Sequence, residues 1–143
     1  MRNFKIREVV FIDDDDVIVF VGKRILKMAG YNGVVSHFHN GLEAIKSIEE
    51  SIVQGGFDNE SDPVVVLLDI NMPVMDAWDF MNVFKEFPEK IKNNFKIAIV
   101  TSSFNPADRM QASKYKDLME YINKPISSAD LLAFLRKHGF YED

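Results

Sequence analysis

Residues 9–16 read Val-Val-Phe-Ile-Asp-Asp-Asp-Asp. Four apolar residues with no polar alternation describe a strand buried on both faces, the kind found in parallel sheets. Four carboxylates follow at once, although ionised groups are costly at the end of a core element unless something binds them. The pattern recurs along the chain. Val64-Val65-Val66-Leu67-Leu68 ends on Asp69, Ile97-Ala98-Ile99-Val100 ends on Thr101, and the weaker Tyr121-Ile122-Asn123 ends on Lys124. An acid pair, a single acid, a hydroxyl and a lysine, each at a strand's carboxyl end, suit a divalent metal and a phosphoryl group.

Helix-period segments separate these runs. The first is expected from about Asp16 to Ala29, with Val17, Val21, Ile25 and Met28 on its apolar face and Gly30 ending it. A short strand near Val34–Phe38 follows. Asn40, with Glu43 three residues on, then caps a helix reaching about Val53. Residues 54–62 (QGGFDNESD) form a polar loop. A turn at Met72-Pro73 leads to a helix from about Met75 to Phe87, and Pro88–Asn94 is a second, charged connection. Asn105-Pro106-Ala107-Asp108 and Ser127-Ser128-Ala129-Asp130 start the last two helices, the final one facing Leu131, Phe134 and Leu135 inward. Five β/α units predict an α/β fold: a doubly wound, five-stranded parallel sheet of order 2-1-3-4-5, flanked by five helices. In that order strands 1 and 3 are neighbours at the switch point, so Asp13, Asp14 and Asp69 converge there.

The bulk properties narrow the function. The chain's 143 residues suit one domain, expected over residues 5–140 with no output domain behind it. A net charge of −5 without a Lys/Arg cluster argues against nucleic acid. No cysteine means no disulfide framework or thiolate chemistry. No signal peptide and no membrane-spanning run are read, and the expected location is cytoplasmic.

Five segments resemble the receiver domain of two-component response regulators, of the flavodoxin-like, CheY-like type. They are FIDDDD at 11–16, HNGLEAI at 39–45, LLDINMPVMDAW at 67–78, IVTSS at 99–103 and YINKPIS at 121–127. The resemblance implies Asp69 as phosphoacceptor, Asp14 as a direct Mg²⁺ ligand and Asp13 as an indirect one, with the Asn71 backbone carbonyl also on the metal. It implies that Thr101 bonds a phosphoryl oxygen and that Lys124 is the family's lysine, followed by Pro125 through a cis bond. Tyr121 takes the place of a switching aromatic. Mn²⁺ is the alternative cofactor, since all the ligands are oxygens. Such a protein is a phosphoacceptor that promotes its own phosphorylation and dephosphorylation, not a turnover enzyme. Its partners would be a sensor histidine kinase or histidine phosphotransfer protein, and a downstream protein at the face of helix 4, strand 5 and helix 5. It would be a monomer or weak dimer that touches neither nucleic acid nor membrane. The family usually has Gly where this chain has Ala77, and a methyl group there is expected to strain or stiffen the loop after strand 3.

Two other readings stay open at this level. Asp13-x-Asp15-x-Val17 fits the D-x-D-x-V pattern of haloacid-dehalogenase-like phosphatases, with Asp13 as nucleophile and Asp15 as acid/base; that scheme leaves Asp69 idle. A receiver-like interaction module that never takes phosphate is the third. Asp15 and Asp16 are expected to be solvated or near the helix start. His37 and His39 have no partners at ligand spacing and read as surface histidines. Met72, Met75 and Met81 read as core fillers.

Overall fold

The computed structural model describes residues 2–57 and 62–143, so part of the loop expected at 54–62 lies outside the described residues. Five parallel strands form the sheet: β1 (Glu8–Ile12), β2 (Val34–Phe38), β3 (Val64–Leu68), β4 (Phe95–Thr101) and β5 (Leu118–Asn123). Their order is β2-β1-β3-β4-β5, as the β/α alternation predicts. The two-residue strands Asn3–Phe4 and Tyr141–Glu142 pair antiparallel in a separate ribbon.

Alternate residues of the central strands feed two cores. Val10, Ile12, Val64, Val66, Leu68, Ile97 and Ile99 face one side, against α2 (Gly41–Val53) and α3 (Ala77–Phe84). Val9, Phe11, Val65, Leu67, Ala98 and Val100 face the other, against α1 (Asp16–Met28) and the last helix. This is why the runs are continuously apolar: both faces of the sheet are covered. Each fully buried Leu, Ile or Phe contributes roughly 2 kcal/mol, enough to tolerate repulsion between charges at the rim.

Six helices are present among the described residues, not five. The extra one is α4 (Glu89–Lys92), a single turn inside the charged connection expected at Pro88–Asn94. It forms because the Lys92 ammonium is buried there, bonded to the Lys85 carbonyl (3.1 Å) and paired with Glu89 (3.1 Å). The last two helices are α5 (Pro106–Ala112) and α6 (Ser128–Lys137), so the expected partner face is α5–β5–α6 in this numbering. Asn105 and Ser127 cap them, and Leu131, Phe134 and Leu135 are buried as expected. Helix α3 starts and ends inside its predicted span, with Asp76 and Asp79 making a capping box.

The apolar face expected for α1 is corrected. Its buried residues are Val19, Gly22 and Leu26, with Ile25 part-buried; Val17, Val21 and Met28 are exposed. Gly22 is the reason. A Cβ there would lie 2.6 Å from the Phe11 ring, so its bare backbone is what lets the helix approach the sheet.

Candidate functional site

Register brings the strand ends level. Ile12 pairs with Leu68, Leu68 with Ile99, and Thr101 with Asn123. Backbone bonds continue just past each end. The Asp13 N–H donates to the Phe38 carbonyl (3.0 Å), that of Asp69 to Ile12 (2.9 Å) and that of Lys124 to Thr101 (2.7 Å). The side chains at these positions are thus set on one rim of the sheet by its own ladder.

Carboxylate oxygens of Asp13, Asp14 and Asp69 lie within 4.8 Å of one another. Asp13 and Asp69 are buried and Asp14 is exposed, so the cluster has one open side. The Lys124 ammonium bonds Asp13 at 2.7 Å and lies 3.6 Å from Asp69. Thr101 is fully buried, and its hydroxyl oxygen accepts from the Ser103 N–H. The Lys124–Pro125 peptide is cis. Asn71 lies exposed in the loop two residues beyond Asp69.

The Asp69 carboxyl is pushed up to about 6, first by burial and then by the Asp13 charge; Lys124 and the Ile70 N–H oppose the rise without cancelling it. A divalent cation reverses that balance by holding all three carboxylates ionised. Clustered oxygens, some buried and one facing solvent, fit a hard ion that keeps part of its water shell.

The other acids are explained locally. The Asp15 carboxylate caps α1, accepting from the Val17 N–H (2.9 Å) and the Ile18 N–H (3.3 Å). That leaves it a poor acid/base and weakens the phosphatase reading. Asp16 pairs instead with His39. The expectation that His37 and His39 lack partners is therefore corrected. The β1–β2 pairing sets them beside the start of α1, a closeness no linear spacing displays.

The Tyr121 hydroxyl is buried without a hydrogen bond of ordinary geometry, and the Arg109 guanidinium lies 4.4 Å from the ring centroid. Burial and the nearby Asp108 charge raise its pKa; Ser103 and Arg109 pull weakly the other way. Met72 and Met81 are buried in the core, with Met75 packed against it, and Trp78 stacks on Tyr115.

Strain in the loop after β3 falls elsewhere than expected. Ala77 is the first residue of α3, fully buried, without positive φ, and its N–H donates to Ile70. Val74 instead has φ 69°, an outlier for a β-branched residue. The loop is pinned around it: the Met75 N–H donates to the Pro73 carbonyl and the Gly41 N–H to that of Met75. Such strain costs of order 1–3 kcal/mol, against about 0.5–1 kcal/mol for the greater backbone entropy that glycine loses on folding. Val74→Gly should therefore stabilise the protein by about 1 kcal/mol, read from the urea midpoint. A lower midpoint would show that the Val74 backbone is unstrained.

The profile of the response regulator receiver domain matches residues 9–136. The chain belongs to that family. A sensor histidine kinase, CheAY of Helicobacter pylori, is 30% identical over 129 residues, covering 90% of this chain and 14% of that protein. Hybrid signal transduction histidine kinase B of Dictyostelium discoideum is 25% identical over 144 residues, covering 94% of the chain and 7% of the kinase. The chain thus spans only a small part of these curated relatives. A two-component response regulator of Cytophaga hutchinsonii is 27% identical in sequence and superposes with a TM-score of 0.75, covering 93% of this chain and 96% of that one. The fold of this receiver domain is CheY-like, and receiver domains take Mg²⁺ at an acidic pocket; here the carboxylates at the sheet rim fit one. No helix among the described residues is long and apolar enough to cross a membrane.

Proposed function

We propose that this receiver, acting as one unit over residues 5–140, accepts a phosphoryl group on Asp69 and passes its state on by protein contact. The observation that carries the reading is the buried Asp69 carboxylate, held between two other acids and the Lys124 ammonium. A carboxylate is itself the nucleophile and needs no base. An Asp69 oxygen attacks phosphorus in a phosphohistidine, the P–N bond breaks, and the imidazole nitrogen keeps the electron pair. Lys124 neutralises charge gathering on the phosphoryl oxygens, and the Thr101 hydroxyl bonds one of them. Asp14, the exposed acid, would be the direct Mg²⁺ ligand, with Asp69 and the Asn71 carbonyl. Both Asp13 oxygens are already engaged, by the Asp15 N–H and by Lys124, which suits an indirect role. When bound, the metal would supply a second positive charge for the same phosphoryl oxygens.

The phosphodonor would be a histidine kinase or phosphotransfer protein, as two of the relatives' names suggest. Exposed Val17 and Phe20, on the turn of α1 nearest the site, offer it an apolar landing. Downstream, Thr101 drawn toward the phosphate would favour one of two packed positions of Tyr121 and re-shape the α5–β5–α6 face. Met110 within α5, and Phe104 just before it, are exposed apolar side chains that such a partner could cover.

Incubation with acetyl phosphate and MgCl₂, followed by intact mass, should show one added phosphoryl group, and none with EDTA. An unchanged mass under both conditions would leave the interaction-module reading standing.

A further inference from the structure

We propose that Asp16, His37 and His39 form a second metal site, distinct from the acidic pocket and suited to a borderline ion such as Zn²⁺. His37 is the penultimate residue of β2 and His39 lies just past its end, two positions on, so the two rings fall on one side with centroids 4.3 Å apart. Asp16 opens α1 and meets them, with its Oδ1 2.8 Å from His39 Nε2. One donor atom from each of the three residues lies within 4.8 Å of the others.

The proton on His37 is assigned by its neighbour. Its Nε2 lies 2.8 Å from the Asp13 carbonyl oxygen, which can only accept. Nε2 therefore carries hydrogen and Nδ1 keeps a lone pair free for an ion. A metal-bound histidine commonly has this outer bond, because it fixes the ring and raises ligand basicity. A tetrahedral Zn²⁺ about 2.0–2.1 Å from each ligand would bring the donors to roughly 3.3 Å from one another. The adjustment is small, with the Asp16–His39 pair opening slightly from 2.8 Å, and both side chains are exposed enough to make it by rotation. A water would take the fourth position, while Glu43, whose Oε1 lies 3.9 Å from His39 Nδ1, is placed to accept from that nitrogen as an outer partner.

Ligand chemistry separates the two sites. Two imidazoles and one carboxylate favour Zn²⁺, Cu²⁺ or Ni²⁺, whereas the oxygen-only pocket favours Mg²⁺. Asp13 links them, its carbonyl holding His37 while its carboxylate lies at the rim. Zn²⁺ binding at the second site requires no phosphoryl transfer at Asp69.

The test is calorimetric titration of ZnCl₂ into the whole chain with excess MgCl₂ present. One equivalent of Zn²⁺ should bind, with affinity on the order of micromolar, weakened at least tenfold by His39→Ala and several-fold by Asp16→Asn, while Asp14→Asn leaves it unchanged. Co²⁺ should give the visible absorption of a nitrogen-ligated, low-coordinate ion in the wild type and lose it in His39→Ala. Thermal melts in EDTA keep misfolding apart from lost ligation. Absence of Zn²⁺ uptake, equal uptake by the wild type and a folded His39→Ala, or uptake removed by Asp14→Asn would each overturn the second site. The last of these would place the ion in the acidic pocket.

Discussion

Asp69→Asn is expected to take up no phosphoryl group from acetyl phosphate and Mg²⁺, however long the incubation. The substitution exchanges one carboxylate oxygen for an amide nitrogen of nearly the same size, so the buried position stays filled and only the nucleophile is lost. The same variant should be the more stable protein without metal. The Asp69 carboxyl titrates near 6 in the fold against an ordinary 3.8. Between those values the folded protein holds a proton that the unfolded chain releases. The stability this confers is complete below 3.8 and is lost as pH rises through about 6. At pH 8 the wild type therefore holds a buried, repelled carboxylate that the asparagine variant lacks. After discounting for the open side of the pocket, the variant should gain on the order of 1–2 kcal/mol there, the gap closing toward pH 4. Urea denaturation in EDTA across that range measures it, and saturating Mg²⁺ should narrow the gap at pH 8. Persistent labelling of the variant would move the acceptor to another residue. A gap independent of pH would mean that Asp69 titrates normally.

Lys124→Met carries the second large effect, on rate and stability together. The Lys124 ammonium is the cation that the structure places on both buried acids, at 2.7 Å from Asp13 and 3.6 Å from Asp69. Methionine keeps much of the stem's volume and loses the charge. Removing one positioned charge from a transition state of this kind slows the step by roughly two to three orders of magnitude. Removing one member of a buried ion pair also leaves its partners uncompensated, at a cost of about 3 kcal/mol. Mg²⁺ should recover part of the stability, because it supplies positive charge to the same carboxylates, but not the rate. Lys124→Arg should not restore the rate either, since a planar guanidinium fork cannot take the place of a compact ammonium. Acetyl phosphate labelling rates and paired melts with and without Mg²⁺ measure both effects. A Lys124→Met variant that labels at the wild-type rate would remove Lys124 from the chemistry.

How much was legible in the chain differs from element to element. The strands were plain because each central one is buried on both faces and so reads as an unbroken apolar run, a pattern that survives without any knowledge of neighbours. Caps at Asn40, Asn105 and Ser127 were equally plain, since capping is satisfied within four residues. Helix α1 was misread because its buried stripe runs through Gly22, which counts for nothing on a hydrophobic scale yet decides how close the helix comes to Phe11. Helix α4 was hidden because one turn leaves no periodicity to detect, and what secures it is a buried lysine. Val74 could not be suspected, since its φ is imposed by hydrogen bonds from residues on either side and from Gly41.

The chain alone determined which chemistries meet at a strand end: carboxylates after β1 and β3, a hydroxyl closing β4, a lysine after β5. Those are local facts of composition and period. Only the folded sheet decided which of them touch. Distances such as that between Lys124 and Asp13, or between His39 and Asp16, depend on strand order and register, and these are set by the collective burial of two cores rather than by any segment's own preference.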